Sequence, residues 1–201
     1  MKTSKKNIAV FVSGDGSNLQ AIIDSNIVSA NIAVVVCNNP DAYAITRARK
    51  NNIDVELINH REYTSREEFE QEIIHRLGKY SVDLIVLAGF MRVLTSYFVK
   101  RFKMRIINLH PALLPSFPGM HAAKQALDYG VKYTGCTVHF VDDGVDTGPV
   151  ILQAVVEVKD SDTEDSLMAR IHMLEHEIYP EAIRLFCEDR LRVVGRRVFV
   201  N

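Results

Sequence analysis

Short unbroken apolar runs alternate along this chain with stretches whose apolar residues recur at helical spacing. Residues 8–12 and 32–37 are continuous hydrophobic runs rich in β-branched side chains, as strands buried on both faces of a parallel sheet require. Between them Leu19, Ile22, Ile23 and Ile27 keep helical periodicity. Residues 55–58, 84–87 and 106–109 read as further strands, and 43–50 and 66–79 as crossover helices. This order predicts a doubly wound, Rossmann-like α/β fold with a mostly parallel sheet.

The texture changes after residue 130. Residues 134–141 alternate, and 150–158 follow a turn holding Gly144, Gly148 and Pro149, so the C-terminal half of the sheet reads as more antiparallel. Leu167, Ile171, Leu174 and Ile178 mark a long helix that reaches Pro180, where the missing N–H predicts a kink or a restart. Residues 191–201 flank Gly195-Arg196 with β-branched runs and read as a terminal hairpin. A single domain over 1–201 is expected. Residues 1–7 would be flexible, 8–109 a nucleotide-type α/β half, and 110–190 a second half carrying the active site.

Composition narrows the class. Hydrophobic residues are 47% and charged residues 24% of the chain, and 24 Lys and Arg against 25 Asp and Glu leave a charge of −1. That balance advertises neither nucleic acid nor an anionic membrane as partner, and no apolar run approaches the ~20 residues of a membrane helix. Cys37, Cys136 and Cys187 are an odd, widely spaced set without metal or redox spacing, which suits a reducing compartment. A cytoplasmic location follows as the expectation.

Two segments carry candidate chemistry beyond the fold. Ser13-Gly14-Asp15-Gly16-Ser17-Asn18 follows the first strand and opens the first helix, with Ser17 and Gln20 in the spacing of a capping box. Backbone N–H groups at such a turn make an anion site. The third glycine of a dinucleotide fingerprint is replaced by Leu19, and no acid closes the second strand, so a terminal phosphate of a small ligand fits better than a pyrophosphate. The other segment runs from Ile106 to Gly119 and carries Pro111, Pro115 and Pro118, a stiff irregular wall. Asn108 and His110, two apart on a strand, share a face, and an amide beside an imidazole can donate to a developing oxyanion. Three acids, Asp142, Asp143 and Asp146, crowd one later turn. If the sheet brings that turn beside His110, a carboxylate holds the imidazole charged.

These segments resemble a known family. The Gly-Asp-Gly-Ser-Asn-Leu-Gln loop, residues 88–94 (Ala-Gly-Phe-Met-Arg-Val-Leu), Asn108-Leu109-His110-Pro111 with Leu113-Leu114-Pro115, and Asp146-Thr147-Gly148-Pro149 occur in the order and spacing of the phosphoribosylglycinamide formyltransferases. The likeness covers residues 8 to about 190. It implies transfer of a formyl group from 10-formyltetrahydrofolate, as co-substrate, to the amine of 5-phosphoribosylglycinamide in purine biosynthesis. It implies small-molecule substrates, no metal, no nucleic acid and no membrane partner, and it leaves the oligomeric state open.

By the same resemblance Asn108, His110 and Asp146 are catalytic. Gly16, Ser17, Asn18 and Glu175 would bind the ribonucleotide, and Arg66, Met91, Arg92, Val93, Leu94 and Asn108 the folate, which makes 110–190 the active-site and folate half. Methionyl-tRNA formyltransferase and formyltetrahydrofolate deformylase share the trio, but Pro118-Gly119-Met120-His121 looks like the glycinamide enzymes. A reading of another class, a metal-dependent hydrolase, rests on His172-Met173-Leu174-Glu175-His176, which matches an inverted zinc-protease signature. It lacks a third ligand segment. His139 is expected to be a satisfied strand histidine, and His60 and His75 to face solvent.

Overall fold

Every residue from Ile8 to Val12 is fully buried, which is why this run forms the strand around which the first half of the chain is built. The computed structural model describes residues 5–201. Among them are nine strands and six α-helices, and the chain divides into two compact units that meet in sequence between Ile107 and Asn108.

In the first unit β1 (Lys6–Val12) pairs in parallel with β2 (Ala30–Cys37) on one side and β4 (Leu84–Leu87) on the other. β2 in turn pairs in parallel with β3 (Val55–Leu57). The strand order is therefore β3-β2-β1-β4, with β5 (Ile106–His110) beginning next to β4. The helices are α1 (Ser17–Asp24), α2 (Ala44–Lys50), α3 (Arg66–Leu77) and α4 (Ser96–Arg101). Ser65 and Thr95 accept from the Glu68 and Phe98 amides at the starts of α3 and α4, satisfying donors that a helix leaves unpaired.

The second unit takes the last three residues of β5 and adds α5 (Ala122–Tyr129), β6 (Tyr133–Phe140), β7 (Val150–Glu157), α6 (Glu164–Cys187), β8 (Leu191–Val194) and β9 (Arg197–Val200). Here the order is β5-β6-β7-β9-β8, with β6–β7 and β8–β9 antiparallel. Leu167 and Ile171 of α6 pack with Ala123, Cys136 and Val156 in one apolar cluster. The mixed sheet and the terminal hairpin agree with the hydrophobic pattern.

Three expectations change. Residues 1–4 lie outside the described residues, but Lys6 and Asn7, expected to be flexible, already belong to β1. Gly16, not Ser17, caps α1, and no side chain closes a box there, because Gln20 is turned to Asp24 instead. The capping box is at α6, where Thr163 and Ser166 exchange hydrogen bonds of 3.2 and 3.0 Å. And α6 continues past Pro180 as one helix, so it does not restart there. Proline costs one backbone bond there, but Tyr179, Pro180, Ala182 and Ile183 are all buried, so tertiary packing overrides the local cost. No helix among the described residues is long and apolar enough to cross a membrane.

Candidate active site

Alternation along β5 sends Asn108 and His110 to the same face, as the spacing predicts, and His110 is 4% exposed. Within the second unit the acidic turn is brought to them. Asp146 Oδ2 lies 3.3 Å from His110 Nδ1 and accepts the Gly119 N–H at 2.8 Å. His110 Nε2 lies 2.8 Å from the Phe117 carbonyl oxygen. Both ring nitrogens thus face acceptors, and only the doubly protonated imidazolium can donate to both.

His139 belongs to this cluster too. Its Nδ1–H donates to the Phe140 carbonyl at 2.8 Å, which turns Nε2 toward Asn108 Nδ2 (3.4 Å) and Asp146 Oδ1 (3.7 Å). It is a fully buried strand histidine, as expected, but not a bystander. Its position on β6, three residues before the acidic turn, is the signal that could have found it.

Burial alone would raise the Asp146 carboxyl. His139, the Gly119 amide and the charge of His110 outweigh it and hold the group below the ordinary carboxylate range. The turn that delivers it is tightly made. A Cβ on Gly148 would meet the Phe140 carbonyl oxygen at 1.7 Å, so only glycine lets the chain pass there. Asp142 Oδ1 accepts from Thr147 Oγ1 and from the Gly144 N–H. Asp146 itself has φ +55°, a left-handed conformation that Asp tolerates better than most residues. Backbone held in such regions gathers at working sites. Of the three acids, Asp142 braces the turn and Asp146 reaches the histidines.

The first unit holds the glycine loop and the 91–94 segment. Gly16 has φ +82°, and a Cβ there would meet Ala44 Cβ at 2.7 Å, so this glycine is demanded by backbone and packing as well as by any ligand. Arg47 grips the loop through the Asp15 carbonyl and carboxylate, both at 2.9 Å. Met91 and Val93 are 65% and 61% exposed, unusual for large apolar side chains. Buried Glu70 accepts from the Thr95 amide and hydroxyl and so anchors the end of that segment. Arg66 is the exposed first residue of α3, at the end of a helix where a cation is disfavoured.

Glu175, in the second unit, is 3% exposed and accepts from His172 Nδ1–H at 2.8 Å. That bond raises the His172 pKa against the effect of burial. The His172 and His176 rings stack at 6.5 Å. The described residues include no group of three His, Cys, Asp or Glu side chains that could hold a metal ion. His75 is exposed, but His60 is half-buried against Asn38 rather than free in solvent.

A buried imidazole with a half-buried amide and carboxylate beside it at a strand end, in a fold with a helix-opening glycine loop, defines an enzyme of the acyl-transfer class. The set supplies oxyanion donors and a charge to sustain them, with no side-chain nucleophile among them. The chain belongs to the formyl transferase family, whose characteristic domain matches residues 6–183. It is 45% identical over 190 residues to phosphoribosylglycinamide formyltransferase of Escherichia coli, covering 93% of this chain and 90% of that protein. It is 46% identical over 186 residues to the trifunctional purine biosynthetic protein adenosine-3 of Drosophila melanogaster. That match covers 90% of this chain but only 14% of the longer protein. The crystal structure of glycinamide ribonucleotide transformylase 1 from Symbiobacterium toebii superposes with a TM-score of 0.94 at 48% identity, covering 98% of this chain and 94% of the other.

Proposed function

We propose that the chain transfers a formyl group from 10-formyltetrahydrofolate to the amine of 5-phosphoribosylglycinamide. The observation that carries the chemistry is Asp146 set 3.3 Å from His110, with Asn108 on the same face of the strand. The amine attacks the formyl carbon and the carbonyl pair moves onto oxygen. Asn108 donates one amide N–H to that oxygen. His110 donates Nε2–H, exchanging the Phe117 carbonyl for the adduct, while Asp146 keeps Nδ1–H. The C–N10 bond then breaks, its electron pair returns to N10 with a proton, and the former amine, having lost a proton, is the formamide. No covalent enzyme intermediate is needed, and two substrates held face to face contribute much of the acceleration.

Gly16, Ser17 and Asn18 would hold the phosphate and ribose through backbone amides at the start of α1, with Glu175 on the ribonucleotide. Exposed Met91 and Val93, with Arg92 and Leu94, would receive the pterin and benzoyl rings, and Arg66 a carboxylate of the folate. An acidic group there would relieve the cation at the helix N-terminus.

Formyl transfer between these two substrates, measured without added metal and again with a chelator, should proceed at the same rate in both; no transfer would overturn the reading. In the same assay Arg66→Ala should raise KM for the folate about tenfold, the scale of one charge-assisted contact, and leave KM for the ribonucleotide unchanged. An equal rise in both would reject the assignment of Arg66.

A further inference from the structure

Ser13, the last residue before the glycine loop, makes contacts that loop formation does not require. Its hydroxyl accepts the Met91 N–H at 2.8 Å and donates to Asn38 Oδ1 at 2.6 Å. Its own N–H donates to the Gly89 carbonyl at 3.1 Å, and its carbonyl accepts from Asn39 Nδ2 at 3.2 Å. The backbone and side chain of this one residue are therefore divided between the segment after β4, which holds Gly89 and Met91, and the segment after β2, which holds Asn38 and Asn39.

The rest of the loop is pinned as well. The Gly14 carbonyl accepts the Ala44 N–H at 3.1 Å, and Arg47 holds Asp15. Gly14 and Asp15 are thus held from α2, and Ser13 is the residue that links the loop to both Asn38 and Met91. Asn38 is 2% exposed, so a hydroxyl drawn away from it leaves a buried amide oxygen without its donor, at a cost. Met91 opens the exposed segment that receives folate in the reading above, and its amide is fixed by that same hydroxyl.

We propose that the Ser13 hydroxyl is a positioning group that couples the two substrate sites, so that a phosphate-bearing ligand in the glycine loop strengthens folate binding at Met91–Leu94, and the reverse. The proposal rests on the substrate assignment just given. By linkage the two effects must be equal. A single neutral hydrogen bond, worth ~0.5–1.5 kcal/mol net, sets the expected factor at roughly 2- to 12-fold.

The test uses an unreactive pair, tetrahydrofolate, which carries no formyl group, and glycinamide ribonucleotide. Each is titrated calorimetrically against the full chain, alone and with the other saturating. The expected result in the unmodified protein is that each ligand tightens the other by the same several-fold factor. In Ser13→Ala the factor falls to one, each ligand alone binds within about threefold of its original affinity, and Ser13→Thr restores the coupling. A residue of merely structural importance would weaken both ligands and leave their ratio intact. Absence of coupling in the unmodified protein, or its persistence in Ser13→Ala, overturns the role of Ser13 while leaving the substrates in place. Failure of either ligand to bind the unmodified protein overturns the substrate assignment and the proposal with it.

Discussion

Asn108→Ala is expected to lower kcat by roughly 100- to 1000-fold, the usual cost of removing one oxyanion donor, about 3 to 4 kcal/mol. KM for both substrates should stay within a few-fold, because the bond to the oxygen reaches its strength only when negative charge develops there. The amide nitrogen also lies 3.4 Å from His139 Nε2. The variant therefore also leaves a buried imidazole nitrogen with one partner fewer, and thermal unfolding should register a small loss. Steady-state kinetics on the folded variant separates the two effects. A rise in KM with kcat preserved would mean that Asn108 binds ground-state folate rather than the adduct.

The second large effect is expected at Asp146. Asp146→Asn keeps the shape of the side chain but removes the charge 3.3 Å from His110 Nδ1, and kcat should fall on the order of 10³- to 10⁴-fold, as for carboxylates that orient a catalytic histidine elsewhere. Since the two groups act as one unit, Asp146→Asn combined with His110→Ala should cost little more than His110→Ala alone. Penalties that simply multiply would show that the pair does not work together.

The pH dependence has a definite sign. The folded carboxyl lies below its unfolded value. The stability it adds is therefore fully present above the unfolded value of about 3.9 and is lost as pH falls through the folded one. The acid loss of Tm in that window should be smaller in Asp146→Asn than in the unmodified protein. An identical acid limb in both proteins would remove Asp146 from the list of groups that set it.

The parts of this site that follow a period were legible in the residues. Asn108 and His110 share a face because strands alternate, and the five-residue apolar run of β1 could only be interior. What escaped depends on contacts between distant segments. His139 stands three residues before the acidic turn, but that β5 lies beside β6 is not written in its own neighbourhood. The helices α4 and α5 are short, six and eight residues, with Thr95 as cap of one and Gly130 as stop of the other. The box at Ser17 and Gln20 failed because Gly16, with its left-handed backbone packed on Ala44, settles how that helix starts. At Pro180 the helix continues rather than restarting, with Tyr179, Ala182 and Ile183 buried around it. Spacing places Asp146 in the right turn without separating it from Asp142 and Asp143; the family resemblance names it, and the folded turn puts it beside His110.

The three cysteines have a practical consequence. Cys37, Cys136 and Cys187 are all free and buried, and burial together with the nearby charge of Glu175 pushes the Cys136 thiol up to about 12. Thiolate is the species that alkylating reagents capture, so the native protein should resist maleimides at neutral pH without any cysteine being removed. A single cysteine introduced at Tyr129, 80% exposed, would then be the one fast-reacting thiol. Spectroscopic probes can in this way be attached at chosen positions with the chain's own three cysteines kept, and mass spectrometry after brief labelling would show one adduct in the variant and none in the parent.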